Sequence, residues 1–275
     1  MRTRLPGQPL LSMGAAILGP HYSTLDVALH DFRMAKDLGV IASMHQGGGP
    51  PRTPEGWDRL EAEGLLGSHV NIVHGHAFSD EQLARFVSLG MSFSVAAESE
   101  MSQGHGHPIT GRLRKLGAAP SLGVDLESAV SGEMFTQARV ALGIQRSLDN
   151  EAERARSGTM PKTTTIPALE ALSWITRDGA RMLGMEDRIG TLEVGKQADL
   201  VVIDASALNM QPVHDPVASV VLQTSLANVR DVMVGGRWRK RAGQLVDASG
   251  PMSLAPLIEK LQASGQKIVS ALNLK

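Results

Sequence analysis

The sequence predicts an α/β chain, a parallel sheet or barrel of five strands followed by a small β-rich subdomain. Two observations predict it. Five short apolar runs alternate with helical segments or with polar loops that carry a helix, the pattern of parallel strands joined by crossovers rather than of a sandwich. Past residue 185 short β-like runs and a Gly-Gly turn take over.

The elements follow in order. "MGAAILG" (Met13 to Gly19) reads as a buried strand. "LDVALHDFRMAKDLG" repeats Leu25, Ala28, Leu29, Phe32, Ala35 and Leu38 at helical spacing, and Gly39 stops that helix. "VIASMH" (Val40 to His45) is the next strand, ahead of a Gly/Pro-rich loop and a short helix in "EGWDRLEAEGLLG". "VNIVHG" (Val70 to Gly75) is the third strand, after which Ser79 and Gln82 form a capping box for "DEQLARFVSLG". "MSFSVAA" (Met91 to Ala97) is the fourth, followed by a polar loop and short helix within "SEMSQGHGHPITGRLRKLG", and "PSLGVD" (Pro120 to Asp125) is the fifth. "IPALEALSWITRDGARMLGM" reads as one long amphipathic helix. Short strands are expected at Leu192, Val194 and Leu200 to Ile203, then a hairpin at Gly235-Gly236 with Trp238 on its second strand. "APLIEKLQASGQKIVSALNLK" is a helix expected to pack on the main domain. The division is 1–185 for the barrel-like part, 186–246 for the β-rich part and 247–275 for the terminal helix.

Composition narrows the function. Among 275 residues, 27 Lys and Arg face 28 Asp and Glu, so a net charge of -1 offers nothing to draw a polyanion, and a small substrate is expected rather than nucleic acid. The chain has no cysteine, which excludes disulfides, thiolate nucleophiles and Cys-held zinc. No apolar stretch is long enough to span a bilayer, and the expectation is a soluble, cytoplasmic protein without a membrane partner.

Loops that follow parallel strands gather at one face of a sheet, where chemistry concentrates. That rule brings His21, His45, His74, the loop from Glu98 to His107, and Asp125 to a common rim. A single histidine at a strand end is more often a hydrogen-bonded structural group than a ligand; the convergence of several argues for a polar site. The triglycine in "HQGGG" has neither the lysine nor the spacing of a phosphate-binding loop. In "QGHGHP", pocket lining or plain loop structure ranks above metal binding by His105 and His107.

"TRDGARMLGMEDRIGTLEVGKQADLVVID" and "VRDVMVGGRWRKRAGQLV" resemble the C-terminal signature of the metal-dependent amidohydrolase superfamily, in the branch of cytosine deaminases, chlorohydrolases and S-adenosylhomocysteine deaminases. Upstream, "ASMHQ", "NIVHGHAFSDEQL" and "SLGVD" resemble its fifth, sixth and eighth barrel strands. The resemblance implies a TIM-type (β/α)8 barrel, with about five of eight strands in this sequence, and a small composite β subdomain. It implies His45 and Asp125 as ligands of a divalent metal, zinc or alternatively iron. Asp125 also takes the proton of the attacking water, and His74 polarises the group under attack. His21, Gln46, Gly48, Glu98, Glu100 and His105 are the expected substrate-binding positions. Members of the branch open with a His-x-His pair supplying two more ligands, and none precedes His45. The expectation is therefore a missing upstream segment or a homo-oligomer that completes the site. Many deaminases of the branch place a glutamate three residues after the strand-5 histidine; here that place is Gly48, and Glu98 or Glu100 are the replacements at hand. The implied function is hydrolysis of a carbon-nitrogen bond in a small cyclic or amide substrate. The alternative is a noncatalytic remnant of the same scaffold.

Overall fold

A computed structural model describes residues 10–247 and 250–272. Residues 1–9, 248–249 and 273–275, and what the sequence suggests for them, lie outside the described residues. The chain runs β1 (Ala15–Ala16), α1 (Gly19–Tyr22), α2 (Leu25–Asp37), β2 (Ala42–Gln46), α3 (Gly56–Ala62), β3 (Val70–His74), α4 (Asp80–Ser88), β4 (Ser92–Val95), α5 (Ala97–Ser102), α6 (Thr110–Lys115) and β5 (Ser121–Leu122). The five strands form one parallel sheet in the order β1-β2-β3-β4-β5. The register sets Gln46 beside His74 and His45 beside Val73.

Local chemistry explains the elements. Ala28, Leu29, Phe32 and Ala35 fall on one face of α2 and are buried. Ser79 accepts from the Gln82 N–H while the Gln82 side chain accepts from the Ser79 N–H, so α4 starts on a complete capping box. Gly90 (φ 81) then reverses the chain into β4 in a backbone state that a side chain resists.

The sheet has two unlike faces. Ala42, Met44, Val70, Ile72, Phe93 and Val95 point to the helices and join the apolar core. In it Trp57 lies 6.1 Å from Phe32, 5.7 Å from Phe78 and 5.0 Å from Phe86, centroid to centroid. On the other face small polar side chains bond to one another. Asn71 Nδ2 donates to Ser43 Oγ at 3.0 Å, Ser94 Oγ donates to Asn71 Oδ1 at 3.1 Å, and the Ser94 and Ser121 hydroxyls are 2.8 Å apart.

Beyond β5 come α7 (Met134–Ser157), α8 (Ala168–Trp174), α9 (Arg177–Met182), β6 (Leu200–Ile203), α10 (Pro216–Gln223), β7 (Val229–Val234), β8 (Arg237–Arg241), β9 (Gln244–Asp247), β10 (Gly250–Pro251) and α11 (Ala255–Ala271). β6 to β10 form an antiparallel meander. Its β7–β8 turn is Gly235-Gly236, with φ of 56 and 77. The parallel sheet with its helical cover and this β-rich unit match a partial (β/α)8 barrel with a composite subdomain. No helix among the described residues is long and apolar enough to cross a membrane.

Several expectations are corrected. The first strand shrinks to Ala15–Ala16 because Gly19 and Pro20 already begin α1. The single helix expected over 166–185 is two helices, α8 and α9. Thr176 leaves helical geometry at φ -129 and ψ -92 and returns its hydroxyl to the Leu172 carbonyl. Leu192 and Val194 lie in no strand and are exposed, since neither pairs with a neighbour. The polar loop after β4 is helical from Ala97, as α5. α7 and α10 had no counterpart in the sequence reading. The terminal helix forms, but all of its described residues are exposed, so the packing expected of it is not made.

Candidate functional site

His74 ends β3 and Asp125 follows β5. Both hold left-handed backbone, at φ 72 and φ 69, and among the described non-glycine residues only Ala242 shares that state. Such strain persists where the surroundings enforce it, and it clusters at functional sites.

His74 is 4% exposed. Its Nδ1 lies 3.0 Å from Oε1 of Glu100, a residue that is 1% exposed. The same oxygen accepts from the Ala96 N–H at 3.0 Å, while Oε2 is buried with no hydrogen-bond partner among the described residues. With a carboxylate as acceptor the imidazole proton lies on Nδ1, so Nε2 is left to accept a proton or a hydrogen bond. Ser99, wholly buried, donates its hydroxyl to Asp125 Oδ2 and accepts from Gln103 Nε2 at 2.6 Å. Asp125 itself is exposed and stands at the strand end tethered by that bond.

Other histidines gather around this pair. The His45 ring centroid is 5.5 Å from that of His74, on an exposed side chain. His105 stands edge-on to His74 at 5.1 Å and stacks on His76 at 5.1 Å. Gln46 Nε2 and His21 Nδ1 are 3.0 Å apart and buried. Burial holds the His21 imidazole below its ordinary pKa. His76 is also held low, by burial first and then by the His105 ring, with Glu100 acting the other way.

The residues singled out from sequence thus divide. His74, Glu100, His45 and His105 come together, and the His21–Gln46 pair stands by the glycine loop, where a Cβ on Gly47 would meet His21 Nε2 at 3.1 Å. At Gly48 a Cβ would have ordinary contact, 3.5 Å, with His76 Nε2. Glu98 is engaged elsewhere. Its carboxylate accepts from the Ser131 N–H and hydroxyl and from Gln137 Nε2 at 2.9 Å, which ties the loop after β5 to α7. Of the two glutamates weighed as replacements at Gly48, Glu100 is the one beside His74. Sequence reasoning passed over His76 and Ser99. His76 had a signal, as the second histidine of "HGH"; Ser99 had none.

Among the described residues no three of His, Cys, Asp or Glu come together as a group able to hold a metal ion. A catalytic zinc takes three protein ligands, whereas the resemblance assigns two here, His45 and Asp125. The described residues therefore do not make a metal site by themselves.

Comparison with known proteins fits this fold. The chain is 35% identical over 214 residues to an 8-oxoguanine deaminase of Pseudomonas aeruginosa, across 78% of this chain and 44% of that protein. It is 30% identical over 192 residues to a 5-methylthioadenosine/S-adenosylhomocysteine deaminase of Teredinibacter turnerae, across 70% of this chain and 41% of that one. The chain thus spans less than half the length of these curated relatives. Among solved structures, an adenosine deaminase from Xanthomonas campestris with bound zinc superposes with a TM-score of 0.82 at 24% identity, over 96% of this chain and 59% of that chain. An atrazine chlorohydrolase from Arthrobacter aurescens, complexed with zinc, gives 0.75 at 21% identity, over 90% and 53%. Both likenesses are of fold. Residues 27–239 match the amidohydrolase family, and the chain belongs to that family.

Proposed function

We propose that this chain serves the hydrolysis of a carbon-nitrogen bond in a small cyclic or amide substrate, and that His74 and Asp125 handle the protons. The observation that carries the reading is the buried His74–Glu100 pair at the sheet rim, together with an aspartate held in place by the buried hydroxyl of Ser99, the residue before Glu100. In the reaction, water oxygen bonds to carbon, the carbon-nitrogen bond breaks, and the nitrogen leaves with a proton. Asp125 takes the proton from water and returns it to the departing nitrogen. His74, its Nδ1 proton fixed by Glu100, presents Nε2 to the group under attack. Zinc or iron is the expected cofactor, and its ligand set requires donors beyond those the described residues bring together.

Similarity to named deaminases supports loss of an amino group as one form of this chemistry. Gly48, standing where a carboxylate would help protonate a ring nitrogen, supports a cyclic amide as the other. A noncatalytic role of the scaffold is the second reading, favoured by the incomplete ligand group among the described residues. The deciding experiment follows ammonia release and ring opening on aminated heterocycles and cyclic amides, with metal content, folding and, by light scattering, the expected homo-oligomer checked. His74→Ala and Asp125→Asn should each lower the rate by about 10²-fold or more, the scale of lost general acid–base catalysis. Unchanged rates in both variants reject the site. A folded, metal-loaded protein that turns over none of the panel favours the scaffold role.

A further inference from the structure

The histidine rim lies at the carboxyl ends of the parallel strands, and a separate cleft lies at their amino ends. Ile41, His69, Met91 and Ala119 each stand within two residues of the start of β2, β3, β4 or β5, and with Asp178 and Arg181 of α9 they line a cavity of about 490 Å³. That volume is in the range of small-molecule sites. His69 and His74 bracket β3, which sets the cleft about 17 Å of strand away from the rim. A smaller cavity of about 290 Å³ adjoins it and shares Asp178 and Arg181.

Two acceptors in the cleft are unused. Asp178 is 6% exposed, and its Oδ1 is buried with no hydrogen-bond partner among the described residues. Its ion pairs are long, 3.7 Å to Arg177 Nε and 3.6 Å to Arg181 Nη1, and both of those side chains are exposed. A buried carboxyl oxygen without a hydrogen bond is costly and calls for a donor. The His69 ring is bonded to the Leu65 backbone, and because that bond favours the protonated ring, the carbonyl is the acceptor. His69 Nε2 is buried and has no partner among the described residues. Burial first, and then Lys36, hold the imidazole below its ordinary pKa. The neutral ring therefore carries its hydrogen on Nδ1 and presents a lone pair at Nε2.

The charges select what can enter. Neither Arg177 nor Arg181 has a second ion-pair partner among the described residues. Glu186 is exposed at the same cleft, and Arg114 is spent on Glu170, bonded to both of its oxygens. The cleft thus sets two guanidiniums against two carboxylates, a balance that a ligand of net charge would upset. A bare amine would satisfy Asp178 but leave Arg181 without an anion; a bare carboxylate would meet Arg181 but bring its charge to Asp178 and leave both acceptors empty. A zwitterion satisfies both signs. Val40, Ile41 and Met91 add an apolar wall.

We infer that this cleft binds an aliphatic α-amino acid, its ammonium donating to the Asp178 carboxylate and His69 Nε2, its carboxylate accepting from Arg181, and its side chain lying on Val40, Ile41 and Met91.

Leucine, 3-methylbutylamine and 4-methylpentanoate are the probes, one hydrocarbon carrying both charged groups, the amine alone or the carboxylate alone. Binding to the full chain is measured by calorimetry and by the carbon-bound proton resonances of the histidine rings. Leucine should bind about 10-fold tighter than either single-charge compound, the scale of one hydrogen bond between charged groups. It should shift the His69 resonance, leave that of His74 in place, and bind His74→Ala as it binds the unmodified chain. Asp178→Asn should erase the lead of leucine over 4-methylpentanoate, and Arg181→Met its lead over 3-methylbutylamine. Thermal melts establish folding, and Arg181→Met, at an exposed side chain, decides the matter should Asp178→Asn not fold. No binding of leucine at millimolar concentration, equal affinities for the three compounds, a shift at His74 instead of His69, or leucine binding unchanged in either folded variant would each overturn the inference.

Discussion

Replacing Glu100 by glutamine tests the core of the proposed site with the least change of shape. Glu100 Oε1 accepts two hydrogen bonds, from the Ala96 N–H at 3.0 Å and from the His74 imidazole at 3.0 Å. In Glu100→Gln the amide can keep its oxygen in that place; the opposite orientation would aim an NH2 group at two donors. His74 thus stays in position with its proton on Nδ1; the charge is lost, and the new NH2 takes the place of the buried Oε2, where no described residue accepts from it. A hydrogen bond to a charged partner contributes ~1.5–3 kcal/mol and a neutral one ~0.5–1.5, so the bond to His74 should lose about 1–1.5 kcal/mol. At ~1.4 kcal/mol per tenfold, the rate should fall by about 10-fold, well short of the loss expected for His74→Ala. Initial rates of ammonia release or ring opening, beside circular dichroism and thermal melts of each variant, provide the measurement. A rate equal to that of the unmodified protein would show that Glu100 does not support His74. A loss as deep as that of His74→Ala, in a folded protein, would show that Glu100 carries a proton itself and that its role as a positioning group is wrong.

Three other outcomes are expected. Trp57→Ala, which empties the centre of the cluster formed with Phe32, Phe78 and Phe86, should cost ~3–5 kcal/mol in urea unfolding; a cost under about 1 kcal/mol would contradict the packing described. His21, His69 and His76 are each held below the ordinary 6.5, chiefly by burial. The unfolded chain therefore binds these protons more readily, and the stability linked to them is present above about pH 6.5 and is lost as the pH falls below it; an unfolding midpoint that rises on acidification from pH 7.5 to 5.5 would refute this. Dialysed protein should retain well under one equivalent of zinc per chain, because the described residues bring no three-ligand group together, and stoichiometric retention by elemental analysis would show that other residues complete the set.

What the sequence revealed depended on how local its cause was. Strands β2 and β3 could be read because runs rich in β-branched and apolar residues, each with one polar residue, lead to His45 and His74, and α4 because its capping box lies in four consecutive residues. α7 escaped notice since its buried face includes the polar Gln137 and Gln145, the first paired with Glu98, 39 residues away in the chain. The break between α8 and α9 is set by the backbone of Thr176, which no periodicity announces. At the rim, spacing could nominate His45, His74, Glu100 and Asp125 but could not distinguish Glu100 from Glu98. That distinction came from Ser131 and Gln137 closing on one glutamate and His74 on the other. Ser99 was invisible for the same reason, its hydroxyl mattering only because the fold sets Asp125 against it.

The two faces of the parallel sheet give this chain a separation of tasks. Cohesion with the helices rests on Met44, Ile72, Phe93 and their neighbours, while the opposite face carries a mesh of hydrogen bonds among Ser43, Asn71, Ser94 and Ser121. Substitutions across the mesh can alter the hydration, depth and hydrogen bonding of the floor beneath the histidines without touching the packed layer. The protein can thus be retuned toward new ligands on one side of a strand while the residue next in sequence, facing the other way, goes on holding the fold.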